Sequence, residues 1–172
     1  MAVDTHTDPI APVCEALVAA CATVLDPTPA RAFFAAGGPP AWDNCCEGQT
    51  WVRVAAIRPH LDGSNRQSAR FSPCGVAYWE VTLGVGVLRC AVTLDAQGNA
   101  PSAEALNSEG RAMSGDVAAL RDAILCNLPE ISGVLPNLVR VERWDPLGPQ
   151  GGCVGGEWTA TVGIGGCPCP EE

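Results

Sequence analysis

The chain has 172 residues, a length that suits one domain and buries roughly two-thirds or more of the unfolded surface, so a real core is within reach without obligatory cross-links. Nineteen acidic residues against ten basic ones leave a net charge of −9, which argues against gripping nucleic acid, because non-specific binding needs cations that neutralise phosphates. No run of 18 apolar residues occurs, so no membrane helix is expected, and the opening MAVDTHTDPIAPV sets Asp4 and Asp8 where a secretory leader carries Arg or Lys. The sequence therefore predicts folding in a cytosol, where thiols are kept reduced.

Along the chain, Asp8 is placed to cap a helix with Pro9 at its first position. Val13, Cys14, Leu17, Val18, Cys21, Val24 and Leu25 then recur at three- and four-residue steps on one face, and Asp26-Pro27 disfavours continuation. From Pro27 to Gln49 the segment is rich in turn formers and reads as a loop, with room for one helical turn at most around Phe33 and Phe34. Residues 50–58, TWVRVAAIR, read as a strand with Val52, Val54 and Ala56 on one side and Trp51, Arg53 and Ile57 on the other, stopped by Pro59. A loop over 59–75 carries Arg66 and Arg70.

Residues 76–94 give the strongest β pattern, with Trp79, Val81, Leu83, Val85 and Val87 alternating with Tyr78, Glu80, Thr82, Gly84 and Gly86. The length of this ribbon implies a bend, a bulge at Gly84 or Gly86, or an arm reaching a neighbouring subunit. After a polar tract from Asp95 to Arg111, Val117, Leu120, Ile124 and Leu128 mark a second helix opened near Ser114 or Asp116 and closed by Pro129. LVRVERWDP and GEWTATVGIG form a hairpin joined by the glycine-laden LGPQGGCVGG, and CPCPEE ends the chain. The order predicts an α+β fold, a single domain over 1–172 with mobile termini at 1–8 and 166–172, built from a mostly antiparallel sheet with both helices on one face and a long β ribbon or arm.

Ten cysteines stand at 14, 21, 45, 46, 74, 90, 126, 153, 167 and 169. Cys14 and Cys21, two helical turns apart, are too distant to bond to each other and read as small core hydrophobes. No C-x-x-C occurs, although spacing leaves open a metal site built from Cys45, Cys46, Cys74 and Cys153. A nucleophilic pair of Cys46 and His60 is a second option, without the local signatures that accompany cysteine enzymes. GGCVGGEW lacks the Lys-Ser/Thr ending of a phosphate loop and precedes a strand, and Asp116 and Asp122 read as solvated helix carboxylates. No catalytic residue and no cofactor is expected.

GPPAWDNCCEGQTWVRV, the LGVGVLRCAV strand, the helix DVAALRDAILC and the closing GPQGGCVGGEWTATVGI together resemble the tail terminators of actinobacterial long-tailed phages, head-tail junction proteins, over roughly residues 10–165. Stoppers and adaptors of the same junction are the neighbouring alternatives. The resemblance implies a homo-hexameric ring that caps the tail tube and joins it to the head-side connector. Its partners would be further copies of itself, the major tail tube protein and the stopper, with DNA passing through without specific binding. Assembly would occur in the host cytoplasm, and the place of action would be the virion's head-tail junction. In that setting Cys45, Cys46, Cys74, Cys90, Cys126 and Cys153 are candidate disulfide cysteines formed once the particle meets an oxidising exterior. Trp42, Arg58, Arg66, Arg70, Trp79, Leu83 and Val85 are candidate subunit or ring contacts.

Overall fold

Two helices and five strands follow one another as α1 (Ala11–Val24), β1 (Arg31–Ala35), β2 (Gln49–Leu61), β3 (Val76–Cys90), α2 (Ala103–Asn127), β4 (Val134–Gln150) and β5 (Cys153–Gly165). The computed structural model describes residues 8–35, 37–41, 43–61 and 76–165. The strands form one sheet in the order β1-β2-β3-β5-β4. Only the β1–β2 pairing is parallel; the other three are antiparallel. The fold is α+β, with both helices against one face of a mostly antiparallel sheet.

The alternation in β3 explains the sheet's centre. Val81, Leu83, Val85 and Val87 are fully buried, together with Val52 of β2 and Ala160, Val162 and Ile164 of β5. They meet Val13, Cys14, Leu17, Val18 and Cys21 of α1 and Leu120, Ala123 and Ile124 of α2 in one core. The Asp8 carboxylate accepts from the backbone of Ile10 and Ala11 at 2.9 and 3.2 Å just ahead of α1, but the helix starts two residues later than expected, at Ala11, with Ile10 at its N-cap and Pro12 instead of Pro9 in its first turn. Helix α2 is held to the sheet by the Trp158 indole, which donates to the Val117 carbonyl at 2.9 Å.

Several expectations are corrected. Residues 31–35 form a strand instead of a loop, because β2 offers them a parallel partner in which Phe33 lies beside Trp51. Pro59 does not stop β2. Strand β1 ends opposite Arg53, so beyond that point the outer side of β2 is unpaired among the described residues, and a missing N–H there costs no ladder bond. An irregularity between Val54 and Ala56 shifts the side-chain phase, which sets Ala56 opposite Thr82 and Ile57 opposite Val81, the reverse of the expected facing.

The long ribbon is the central strand. Its pairing with β5 runs unbroken from Tyr78 to Cys90, so no bulge falls at Gly84 or Gly86, and it has neighbours on both sides instead of leaving the domain as an arm. Helix α2 starts a full eleven residues before Ser114, at Ala103, with the Ser102 hydroxyl accepting from the Ala105 N–H at 3.1 Å. The polar tract from Ser102 to Arg111 is thus largely the exposed first half of this helix. The hairpin of β4 and β5 is present, with most of its glycine-laden segment absorbed into strands and only Gly151 and Gly152, both at positive φ, left to turn the chain. The expected mobile ends lie outside the described residues, apart from Asp8.

Candidate functional site

The face of the sheet turned away from the helices carries a second, smaller core of Trp51, Leu88, Cys45 and Cys153, with Phe33, Ala35 and Leu147 packed against it. Two glycines of β3 make this possible. The Trp51 ring lies directly over Gly86, where any side chain would collide with the indole. Beside it, a Cβ on Gly84 would stand 2.5 Å from the carboxyl carbon of Glu157. Large groups from β2 and β5 therefore meet across the bare backbone of β3.

Glu157 is the hub of that meeting. Its oxygens accept from Trp51 Nε1 at 2.8 Å, from Arg53 Nε at 2.8 Å and from Arg53 Nη2 at 2.6 Å. The hydrogen bond to Glu157 raises the Arg53 pKa above its ordinary value, and burial opposes that shift. A planar guanidinium against a carboxylate, with an indole N–H completing the set, engages the carboxylate on both oxygens and makes Glu157 a clasp between β2 and β5.

A second buried pair lies on the helix side. Arg89 Nε and Nη2 donate to the two Asp116 oxygens at 2.9 and 3.0 Å, and Nη1 donates to the Pro27 carbonyl at 2.6 Å. Asp116, expected to be solvated, is buried because α2 begins earlier and presents it to the end of β3. Asp122 is exposed beside Arg121, as expected. Neither Arg53–Glu157 nor Arg89–Asp116 carries a spacing signature, since each joins residues 27 or more apart; the only hint was a pair of glycines inside a strong strand.

The 3-10 turn at Cys45–Glu47 sits against the same end of the sheet. Cys45 is bonded to Cys153 across 108 residues and Cys46 to Cys90 across 44. Four of the six candidate disulfide cysteines therefore come together, while Cys126 is an exposed thiol on α2 and Cys74 lies outside the described residues. Cys14 and Cys21 are buried thiols, each pushed up to about 12 chiefly by burial, which keeps them protonated and inert. The Cys46 and His60 dyad is not formed: Cys46 is held in a disulfide, and His60 stands at the far end of β2, stacked on Tyr78 at 4.5 Å with Nε2 3.4 Å from Glu80.

The candidate interface residues separate into three groups. Leu83 and Val85 are corrected: both are wholly buried under the helices of their own chain and offer nothing to a neighbour. Trp79 is half-buried against the same core, opposite Pro59 and Ile164. Arg58 is exposed on the stretch of β2 that is unpaired among the described residues, 4.0 Å from Glu80, which also lies 3.9 Å from Arg140. Trp42, Arg66 and Arg70 lie outside the described residues. Neither the models of known protein families nor the curated proteins include a match to this sequence.

Proposed function

We propose that this chain is a structural component of a phage particle, a tail terminator whose copies close into a hexameric ring over the end of the tail tube. The observation that carries the reading is the uneven protection of the two sheet edges. Strand β4 is blunted by three register irregularities and by Pro136, Pro146 and Pro149, which is how an edge is kept from recruiting a neighbour. Among the described residues, strand β2 is covered by β1 only as far as Arg53, and beyond it Ile57 and Arg58 stand exposed. An open edge meeting a different surface of the next copy is a heterologous contact, the kind that builds rings when the rotation closes.

The charge of −9 supports the same reading, since an acidic ring lets a polyanion slide past without sticking. The tail tube protein on one side and a stopper on the other are the partners this role requires. A stopper or adaptor would also form a ring at the junction, and its position relative to the tube end separates the two. Cryo-electron microscopy of particles carrying this protein tests the proposal: a ring of six copies at the tube's head-proximal end is expected, and absence of the chain from purified particles by mass spectrometry overturns it.

A further inference from the structure

We propose that, when reduced, Cys45, Cys46, Cys90 and Cys153 form a tetrathiolate site for a thiophilic divalent cation of the zinc class. The topology, not the sequence spacing, brings the four together. Cys90 and Cys153 are direct cross-strand partners in the β3–β5 ladder. The Ala91 N–H donates to the Gly152 carbonyl at 2.8 Å, which makes Cys90 and Cys153 a non-hydrogen-bonded pair, the kind whose side chains approach closest. Cys45 and Cys46 are adjacent in the 3-10 turn, and each reaches one member of that pair. All four line one recess of about 320 Å³, shared with Asn44, Ala91, Thr93, Gly151 and Gly152. Cys45 and Cys153 form its buried floor, and Cys46 and Cys90 its exposed rim, so an ion has a path in.

Zinc takes four sulfurs at about 2.3 Å in a tetrahedron, which places the sulfurs about 3.8 Å apart. Opening two disulfides of ordinary length to that spacing moves each sulfur pair apart by less than about 2 Å, within the range of side-chain rotation. The quartet differs from the one left open by sequence spacing, Cys90 standing where Cys74 was considered. Bonded as two disulfides, these cysteines have no thiolate to offer, and in that form no cluster of His, Cys, Asp and Glu among the described residues fits a metal ion, this quartet included. The two forms are therefore mutually exclusive. A small-molecule disulfide converts one into the other: two such molecules accept four electrons from the four thiolates, take up four protons to become four thiols, and leave two protein disulfides and a free divalent cation.

The test uses the full chain, reduced and freed of reductant without oxygen, then titrated with cobalt(II) and zinc(II). One cobalt per chain with the intense visible bands of tetrahedral sulfur ligation is expected, displaced by zinc. Mass spectrometry after iodoacetamide should then show Cys45, Cys46, Cys90 and Cys153 alkylated about tenfold or more slowly with zinc than without, while Cys126 reacts alike in both, since metal ligation removes the free thiolate. Adding oxidised glutathione should release the ion and yield the Cys45–Cys153 and Cys46–Cys90 pairs. The C126S variant should bind metal unchanged. Absence of the cobalt bands, equal alkylation with and without zinc, or protection falling on other cysteines would overturn the site, and none of these readouts depends on ring formation.

Discussion

At Glu157, three donors converge on two oxygens in a place where water has little access, with only 9% of the side chain exposed. Removing the carboxylate would strand a guanidinium and an indole N–H, and breaking such a pair from one side costs about 3–5 kcal/mol. Glu157→Ala is therefore expected to lower the urea midpoint by a corresponding amount, and a change under 1 kcal/mol by the same rough scale would mean that solvent replaces the clasp. Burial acts differently at Cys14 and Cys21. Each folded thiol stays protonated up to about 12, against 9.0 for an unperturbed thiol. Below pH 9 both states keep the proton and stability is indifferent to pH. Between 9 and about 12 the unfolded chain loses protons that the folded chain retains, so stability falls, by at most about 1.4 kcal/mol per pH unit for each thiol. Denaturant titrations at pH 8 and pH 10.5 should show that loss, and a Cys14→Ala, Cys21→Ala double variant should flatten it.

Among the elements, α2 shows best how context overrides composition. Its second half could be read from Leu120 and Ile124, with Leu128 just past its end, which recur at four-residue steps and are fully buried. The first half, with Leu106 exposed and Gly110 and Gly115 in its interior, has no apolar stripe to read; it is helical because Ser102 caps it and the packed half propagates it. Ser102→Ala should cost about 1 kcal/mol and fray the exposed turns first, visible as faster amide exchange over 103–112 than over 117–127. Strand β1 was invisible for a related reason: RAFFA has no alternation of its own and becomes a strand only beside β2. At the centre of β3, by contrast, Leu83→Asp places an unpaired charge in the core, and loss of the cooperative unfolding transition is expected. On the stretch of β2 unpaired among the described residues, Ile57 is 47% exposed, so Ile57→Asp should leave stability within about 0.5 kcal/mol, and the proposed ring predicts that it prevents association, as read by native mass against multiples of the 17.8 kDa chain.

For the whole molecule, the cysteine-bearing end ties together segments far apart in the chain. The two bonds fasten the turn at residues 45–47 to the end of β3 and the start of β5, and Arg89 reaches from the same end of β3 to α2 and to the α1–β1 connection. A bond closing a long loop contributes about 2–4 kcal/mol in the chain-entropy account. Reduction in the presence of a chelator should therefore lower the urea midpoint and the melting temperature while leaving the sheet's circular dichroism intact at low temperature, because the main core under the helices contains neither bond. Unchanged melting on reduction would show that these bonds close no loop that matters in the unfolded chain.

The sequence by itself determined the α+β class, the alternation of β3, the β4–β5 hairpin, the apolar face of the first helix and the burial of Cys14 and Cys21, because each of these is written in local periodicity or in a neighbouring breaker. Only the tertiary structure decided which cysteines meet, that Asp116 is buried against Arg89, and that Glu157 holds Trp51 and Arg53 across two glycines. These contacts join residues 27 to 108 positions apart, and strand order and register, rather than any short-range preference, set which side chains face each other at such separations.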